Sequence, residues 1–171
     1  MLALSCHCGR ARVELEKRPE YVNECNCSLC SKTGARWAYF HPSEVRIDGP
    51  TLGYRRPDKD APNAEVHFCA TCGATTHFVL TEDAIAKFGN TMIGVNMRLA
   101  DERELVGLEL RFPDGRAWPG EGEFGYVREA RGHRLTLRAG MHPIPARCGT
   151  RVRRCRGTTR GVPPPCIGTP R

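Results

Sequence analysis

The sequence predicts a mainly β fold of short antiparallel strands, and three observations predict it. Apolar and polar residues alternate at period two in several short runs, as they do along a strand with one buried face. Turn chemistry recurs between those runs, and closely spaced cysteines stand at the ends of two of them. The 171 residues suffice for one ordinary domain, since a chain of about 150 residues buries roughly 70% of the surface its unfolded form exposes.

In RARVELE, Ala11, Val13 and Leu15 alternate with charged neighbours, so a strand is expected there. ARWAYF and EVRID supply two more runs, parted by His41-Pro42, and Asp48-Gly49-Pro50 ends the second with turn residues. EVHFC and ATTHFVL flank Cys69-Ala-Thr-Cys72-Gly73, an arrangement expected to be a hairpin with a metal knuckle at its tip. TMIGVNMRL and ELVGLELRF read as further strands, closed by Pro113-Asp114-Gly115. Helical candidates are few: TEDAIAKF is expected to make about two turns with Thr81 as N-cap, and ADEREL about one.

Composition changes near Gly132. Residues 1–130 carry 16 Lys+Arg and all 19 Asp+Glu, a balance of −3, whereas residues 131–171 carry ten arginines and no acid. The basic net charge of +7 therefore belongs to the tail. Two segments are expected: a zinc-binding β domain over 1–130, and an Arg/Pro-rich tail over 131–171 that cannot bury enough surface to offset its ordering entropy and is expected to be disordered. Its composition equally fits a GC-rich gene read out of frame, and its Cys148, Cys155 and Cys166 lack ligand-like spacing. Because the acidic domain offers no basic face in this count, nucleic acid is not an expected partner. No stretch approaches the roughly 18 apolar residues a membrane helix needs, and MLALSCHCG has neither a basic leader nor a long apolar run. A soluble cytoplasmic protein is expected. In that reducing setting many cysteines argue for metal ligation or thiol chemistry rather than disulfides.

Outside the tail, seven cysteines fall into three groups: Cys6 and Cys8, then Cys25, Cys27 and Cys30, then Cys69 and Cys72. Structural zinc is saturated by four protein ligands, while catalytic zinc keeps three and leaves a position open. The two pairs are thus expected to make one closed site of four thiolates, stapling the amino-terminal strand to the hairpin across some sixty residues. The triple, on one short loop, would make the open site. Three alternatives stand beside this reading: ordinary cysteines in the pairs, a second structural zinc in which His41, His67 or His77 completes the triple, and a redox pair Cys27-x-x-Cys30. The last lacks its usual βαβ context.

SCHCGRARVE, ECNCSLCSKTGARWAYF and HFCATCG, with the later VNMRL and DGRAW, resemble the glutathione-dependent formaldehyde-activating enzyme family, which also includes centromere protein V. The resemblance spans roughly residues 3–120 and includes all seven cysteines in order. It implies a mainly β fold around a structural zinc held by Cys6, Cys8, Cys69 and Cys72, and a catalytic zinc held by Cys25, Cys27 and Cys30, two zinc ions per chain. It further implies a carbon–sulfur lyase acting on a small thiol–aldehyde adduct such as S-hydroxymethylglutathione, with a small-molecule thiol such as glutathione as partner. A three-thiolate zinc is a weaker Lewis acid than a three-histidine one, but it can still hold a substrate thiol or polarise a carbonyl. Lys32 and Arg36 are the basic residues nearest the triple for a carboxylate-bearing thiol, and Trp37, Tyr39 and Phe40 are candidates for a pocket wall or for the core. The rival reading is a non-catalytic zinc module with a basic tail contacting nucleic acid.

Overall fold

A computed structural model describes residues 1–120 and 122–133. The expected tail lies, from residue 134 onward, outside the described residues. In chain order come β1 (Leu2–Ser5), β2 (Arg12–Leu15), β3 (Tyr21–Asn23), α1 (Ser28–Thr33), β4 (Trp37–Phe40), β5 (Val45–Asp48) and β6 (Thr51–Arg55). Then follow β7 (Ala64–Cys69), β8 (Thr75–Leu80), α2 (Glu82–Phe88), β9 (Ile93–Asn96), α3 (Glu102–Leu105), β10 (Glu109–Pro113) and β11 (Tyr126–Gly132). The fold is mainly β, as the alternation predicts. Arg131 and Gly132 belong to β11, which pairs with β10.

Two sheets result. The smaller is antiparallel with the order β1-β2-β5; the larger has eight strands ordered β11-β10-β3-β4-β9-β8-β7-β6. Among the described residues every pairing is antiparallel except β10 with β3, where the intervening chain is long enough for a parallel crossover. In β2 the predicted alternation is realised: Val13 and Leu15 are fully buried while Arg12 and Glu14 face solvent. They meet Val22, Ala38, Phe40, Val95, Leu110 and Phe112 of the larger sheet in the main core. Burying each such large side chain contributes roughly 1.5–3 kcal/mol.

Strand β4 separates two environments. Ala38 and Phe40 join the core between the sheets, while Trp37 packs with Val66 and Phe78 on the opposite face, with Tyr39 against them. Trp37 and Phe78 meet edge to face with centroids 5.0 Å apart. Gly94 permits this, since a Cβ there would lie 1.9 Å from the Phe78 ring.

The helices follow their caps. Thr81 accepts from the Ala84 amide at the start of α2, as predicted, and Asp101 with Glu104 forms a capping box on α3. That helix takes the first two residues of the expected run ELVGLELRF, so the strand there begins only at Glu109. His41 caps the turn Pro42–Glu44 through its Nδ1.

His67 and His77 stand opposite each other on β7 and β8 and stack at 4.5 Å between centroids. Burial, with the facing His67, lowers the His77 pKa to about 4. The unfolded chain binds this proton near pH 6.5 and the folded chain only near 4, so stability is complete above the first value and declines as pH falls toward the second. Urea titrations of wild type and His77→Gln should diverge across that window, with wild type losing up to roughly 2–3 kcal/mol relative to the variant between the two values.

Candidate metal centres

Cys6 and Cys8 lie on the turn after β1, Cys69 ends β7, and Cys72 sits in the turn before β8. Their four sulfurs gather within 4.8 Å of one another. The turns are built alike: the Gly9 amide donates to the Cys6 carbonyl and the Gly73 amide to the Cys69 carbonyl, each at 2.9 Å. Gly9 and Gly73 take φ of +74° and +71°, values that cost a residue with a Cβ. The tightened backbone aims further amides at sulfur, Ala11 N–H to Cys6 at 3.3 Å and Thr71 N–H to Cys69 at 3.4 Å.

Sulfur separations of 3.5 Å (Cys6 to Cys8) and 3.7 Å (Cys8 to Cys69) are far too long for disulfides. They match the roughly 3.8 Å edge of a tetrahedron with zinc–sulfur bonds of about 2.3 Å. The protonation pattern agrees. Burial pushes the Cys6 thiol up, but the Ala11 amide and its three thiol neighbours prevail and bring it to about 6. At Cys8 the Arg10 amide favours the thiolate, yet desolvation and the thiols of Cys6, Cys72 and Cys69 drive the group up to about 11. One thiol ionises at the expense of another, and only a cation lets all four ionise together.

The second cluster brings Cys25, Cys27 and Cys30 within the same 4.8 Å. The sequence places this trio on a loop; the structure instead makes Cys27 the N-cap of α1 and puts Cys30 in its first turn. The Cys27 sulfur accepts the Cys30 amide at 3.4 Å, and the Cys25 sulfur accepts the Cys27 amide at 3.4 Å. Trp37 Nε1 donates to Cys30 Sγ at 3.2 Å. Hydrogen bonds from Cys25 and then Cys30 hold the Cys27 thiol down at about 2, while Cys25 and Cys30 are pushed up chiefly by their thiol partners. Again the donor set fits a divalent cation. Among the described residues no histidine, carboxylate or further cysteine joins the trio; His67 and His77 are taken up by their stack, and His41 by its capping box.

The trio lies on the wall of a cavity of about 600 Å³. Trp37, Tyr39 and Phe78 line one side, and Gly115, Trp118 and Phe124 another, the last two rings stacked at 4.5 Å. Phe40 belongs to the core instead. The cationic residues on this cavity are Arg56, Lys59 and Lys87, all distant in sequence from the trio. Lys32 is exposed on α1, and Arg36 is engaged by Glu24 at 2.6 Å, so neither nearest neighbour in sequence lines the cavity. Asn26 fastens the cysteine segment to the loop after β10, donating to Asp114 Oδ1 at 2.8 Å and accepting the Arg116 amide at 2.9 Å. Gly115 closes that contact: a Cβ there would come 2.3 Å from Cys25 Sγ. The residues DGRAW were visible in the sequence, but nothing in them announced that a glycine backs the Cys25 sulfur.

A family model described as glutathione-dependent formaldehyde-activating enzyme matches residues 1–107. No curated protein matches this chain. A crystal structure of a Rhodobacter sphaeroides protein aligns with 26% identity and a TM-score of 0.48, covering 63% of this chain and 97% of that one.

Gly115→Ala should displace Cys25 and lower the metal content of purified protein from two equivalents to one, with the four-thiol cluster still loaded. Cys69→Ser should instead cut thermal stability sharply, because its sulfur joins segments 61 residues apart. Native mass spectrometry with parallel thermal melts checks both.

Proposed function

The chain belongs to the glutathione-dependent formaldehyde-activating enzyme family, and on that premise we propose that it is a zinc-dependent carbon–sulfur lyase. Its proposed substrate is a small thiol–aldehyde adduct such as S-hydroxymethylglutathione, in a reducing cytoplasmic setting. The observation that carries this reading is the difference between the two clusters: four thiols gathered into one and three into the other, the three on a cavity wall. Four protein ligands are the mark of structural zinc and three of catalytic zinc.

In the synthetic direction the thiol sulfur adds to the aldehyde carbon, the carbonyl π pair moves to oxygen, and the proton lost from the thiol ends on that oxygen. Cleavage reverses each change. Zinc held by Cys25, Cys27 and Cys30 would supply the positive charge that keeps a substrate thiol ionised near neutral pH.

Binding, orientation and proton delivery fall to the chain's own side chains. The amides of Cys27 and Cys30 and the Trp37 indole fix the three sulfurs. Burial, helped by the nearby thiols, pushes the Tyr39 phenol above its ordinary value and keeps it protonated. Its oxygen accepts from Asn23 Nδ2 at 3.3 Å, which leaves the phenolic proton to serve the aldehyde oxygen. Glutathione carries two carboxylates and an ammonium. Arg56, Lys59 and Lys87 supply complementary positive charge, and Asp60 on the same wall suits the ammonium. Arg56 is held in place by Asp58 and by Ser28 Oγ at 3.2 Å.

Cys27→Ser should abolish formation of S-hydroxymethylglutathione and remove one zinc per chain; undiminished turnover by the metal-depleted variant would refute the assignment. Tyr39→Phe should keep both zinc ions and lower kcat by about a hundredfold, measured by the same assay.

A further inference from the structure

A second cavity, of about 490 Å³, shares no lining residue with the first. Leu110, which lines it, belongs to the core between the sheets, whereas the trio's cavity adjoins the Trp37 and Phe78 cluster on the other face. Arg36, Arg98, Arg131, Glu102, Gly132 and His133 also line it. We propose that this cavity binds a small phosphate-bearing anion, either free phosphate or a phosphomonoester.

Charge is the first argument. Glu24 is shared among three guanidiniums, with Arg36 Nε at 2.6 Å, Arg128 Nη2 at 3.5 Å and Arg98 Nη2 at 3.7 Å. Arg131 leans toward the Phe112 ring at 5.5 Å and has no carboxylate partner among the described residues. Four arginines thus stand against Glu24 and Glu102. Burial and repulsion from Arg36 lower the Arg98 pKa, as expected where guanidiniums crowd without enough counter-charge. Residues 134–171 contain no Asp or Glu.

The second argument is His133. Its backbone is tied down twice, by its amide to the Leu108 carbonyl at 2.7 Å and by the Gly107 amide to its own carbonyl at 3.1 Å. Its Nε2 lies 3.5 Å from Arg36 Nη1. Arginine can only donate, so Nε2 accepts and the neutral ring carries its proton on Nδ1. That Nδ1 is buried with no partner among the described residues. A buried donor lacking an acceptor is costly, and an anion's oxygen would satisfy it.

Phosphate fits better than a carboxylate. The guanidiniums arrive from separate segments, Arg36 before β4, Arg98 after β9 and Arg131 on β11, which suits a tetrahedral anion with several oxygens more than a planar one with two. The volume exceeds that of phosphate itself, which leaves room for the organic part of an ester.

Full-length, zinc-loaded protein should be titrated calorimetrically with inorganic phosphate at constant ionic strength, and separately with glucose 6-phosphate. One saturable equivalent is expected. Arg98→Gln and Arg131→Gln should each weaken it about tenfold, while Arg46→Gln, at an exposed arginine on β5 paired with Glu14 at 3.8 Å, should leave it unchanged. Zinc content, measured on each variant, should not move. Tighter binding of the ester identifies an esterified ligand, and equal or weaker binding identifies free phosphate. Absence of saturable binding, several equivalents per chain, or the same loss in all three variants would overturn the proposal.

Discussion

Sulfur atoms 3.5 to 3.7 Å apart cannot all carry charge unless a cation sits among them, and much of this molecule is arranged around that constraint. In each cluster one thiol is held low while a neighbour is driven up, as expected of ionisable thiols crowded into one small volume. The fold answers with backbone amides: Ala11, Thr71, Cys27 and Cys30 each direct an N–H at a sulfur. Amides soften the repulsion without cancelling it. A divalent ion would cancel it, and for the four-thiol cluster it would also close a loop of about sixty residues, converting binding energy into folding energy.

What differs between the clusters is their surroundings. The larger is half sealed, Cys6 and Cys69 buried and Cys8 and Cys72 at the surface, packed against Ala11 and Ala74. The smaller is of intermediate exposure throughout and faces a cavity. Strand β4 creates this difference. Its alternation commits Ala38 and Phe40 to the core and turns Trp37 and Tyr39 toward the trio, so one four-residue strand both anchors the sheet and furnishes an indole donor and a phenol to the site.

The sequence made legible those parts whose signal is local. Ala11, Val13 and Leu15 alternate because one face is buried; Thr81 announces α2 because its hydroxyl caps it; the thiols cluster in sequence because knuckle turns are short. Where the signal was absent, so was the expectation. Strand β3 has three residues, too few to display a period, and β6 and β11 are largely exposed, so they are held by backbone pairing rather than by a buried face. Helix α1 is capped by a cysteine sulfur instead of the usual hydroxyl or carboxylate, which is why its six residues read as loop. Gly115, Trp118 and Phe124, with the cations of the cavity, reach the trio through tertiary structure alone.

The stretch from Asn23 to Cys27 joins these themes. Successive side chains are fastened to different parts of the fold: Asn23 to Tyr39, Glu24 to Arg36, Arg98 and Arg128, and Asn26 to the loop at Asp114 and Arg116. The Glu24 amide also donates to the Arg111 carbonyl at 2.9 Å, extending the parallel pairing of β3 with β10. Cys25 and Cys27 therefore owe their positions to these neighbours as well as to the amides that their own sulfurs accept. Such shared fixing lets a sulfur present a lone pair to the cavity while adjacent residues carry part of the cost of ordering it. It also places Glu24, which pairs with Arg36 and Arg98 of the arginine-lined cavity, directly before Cys25 in the chain.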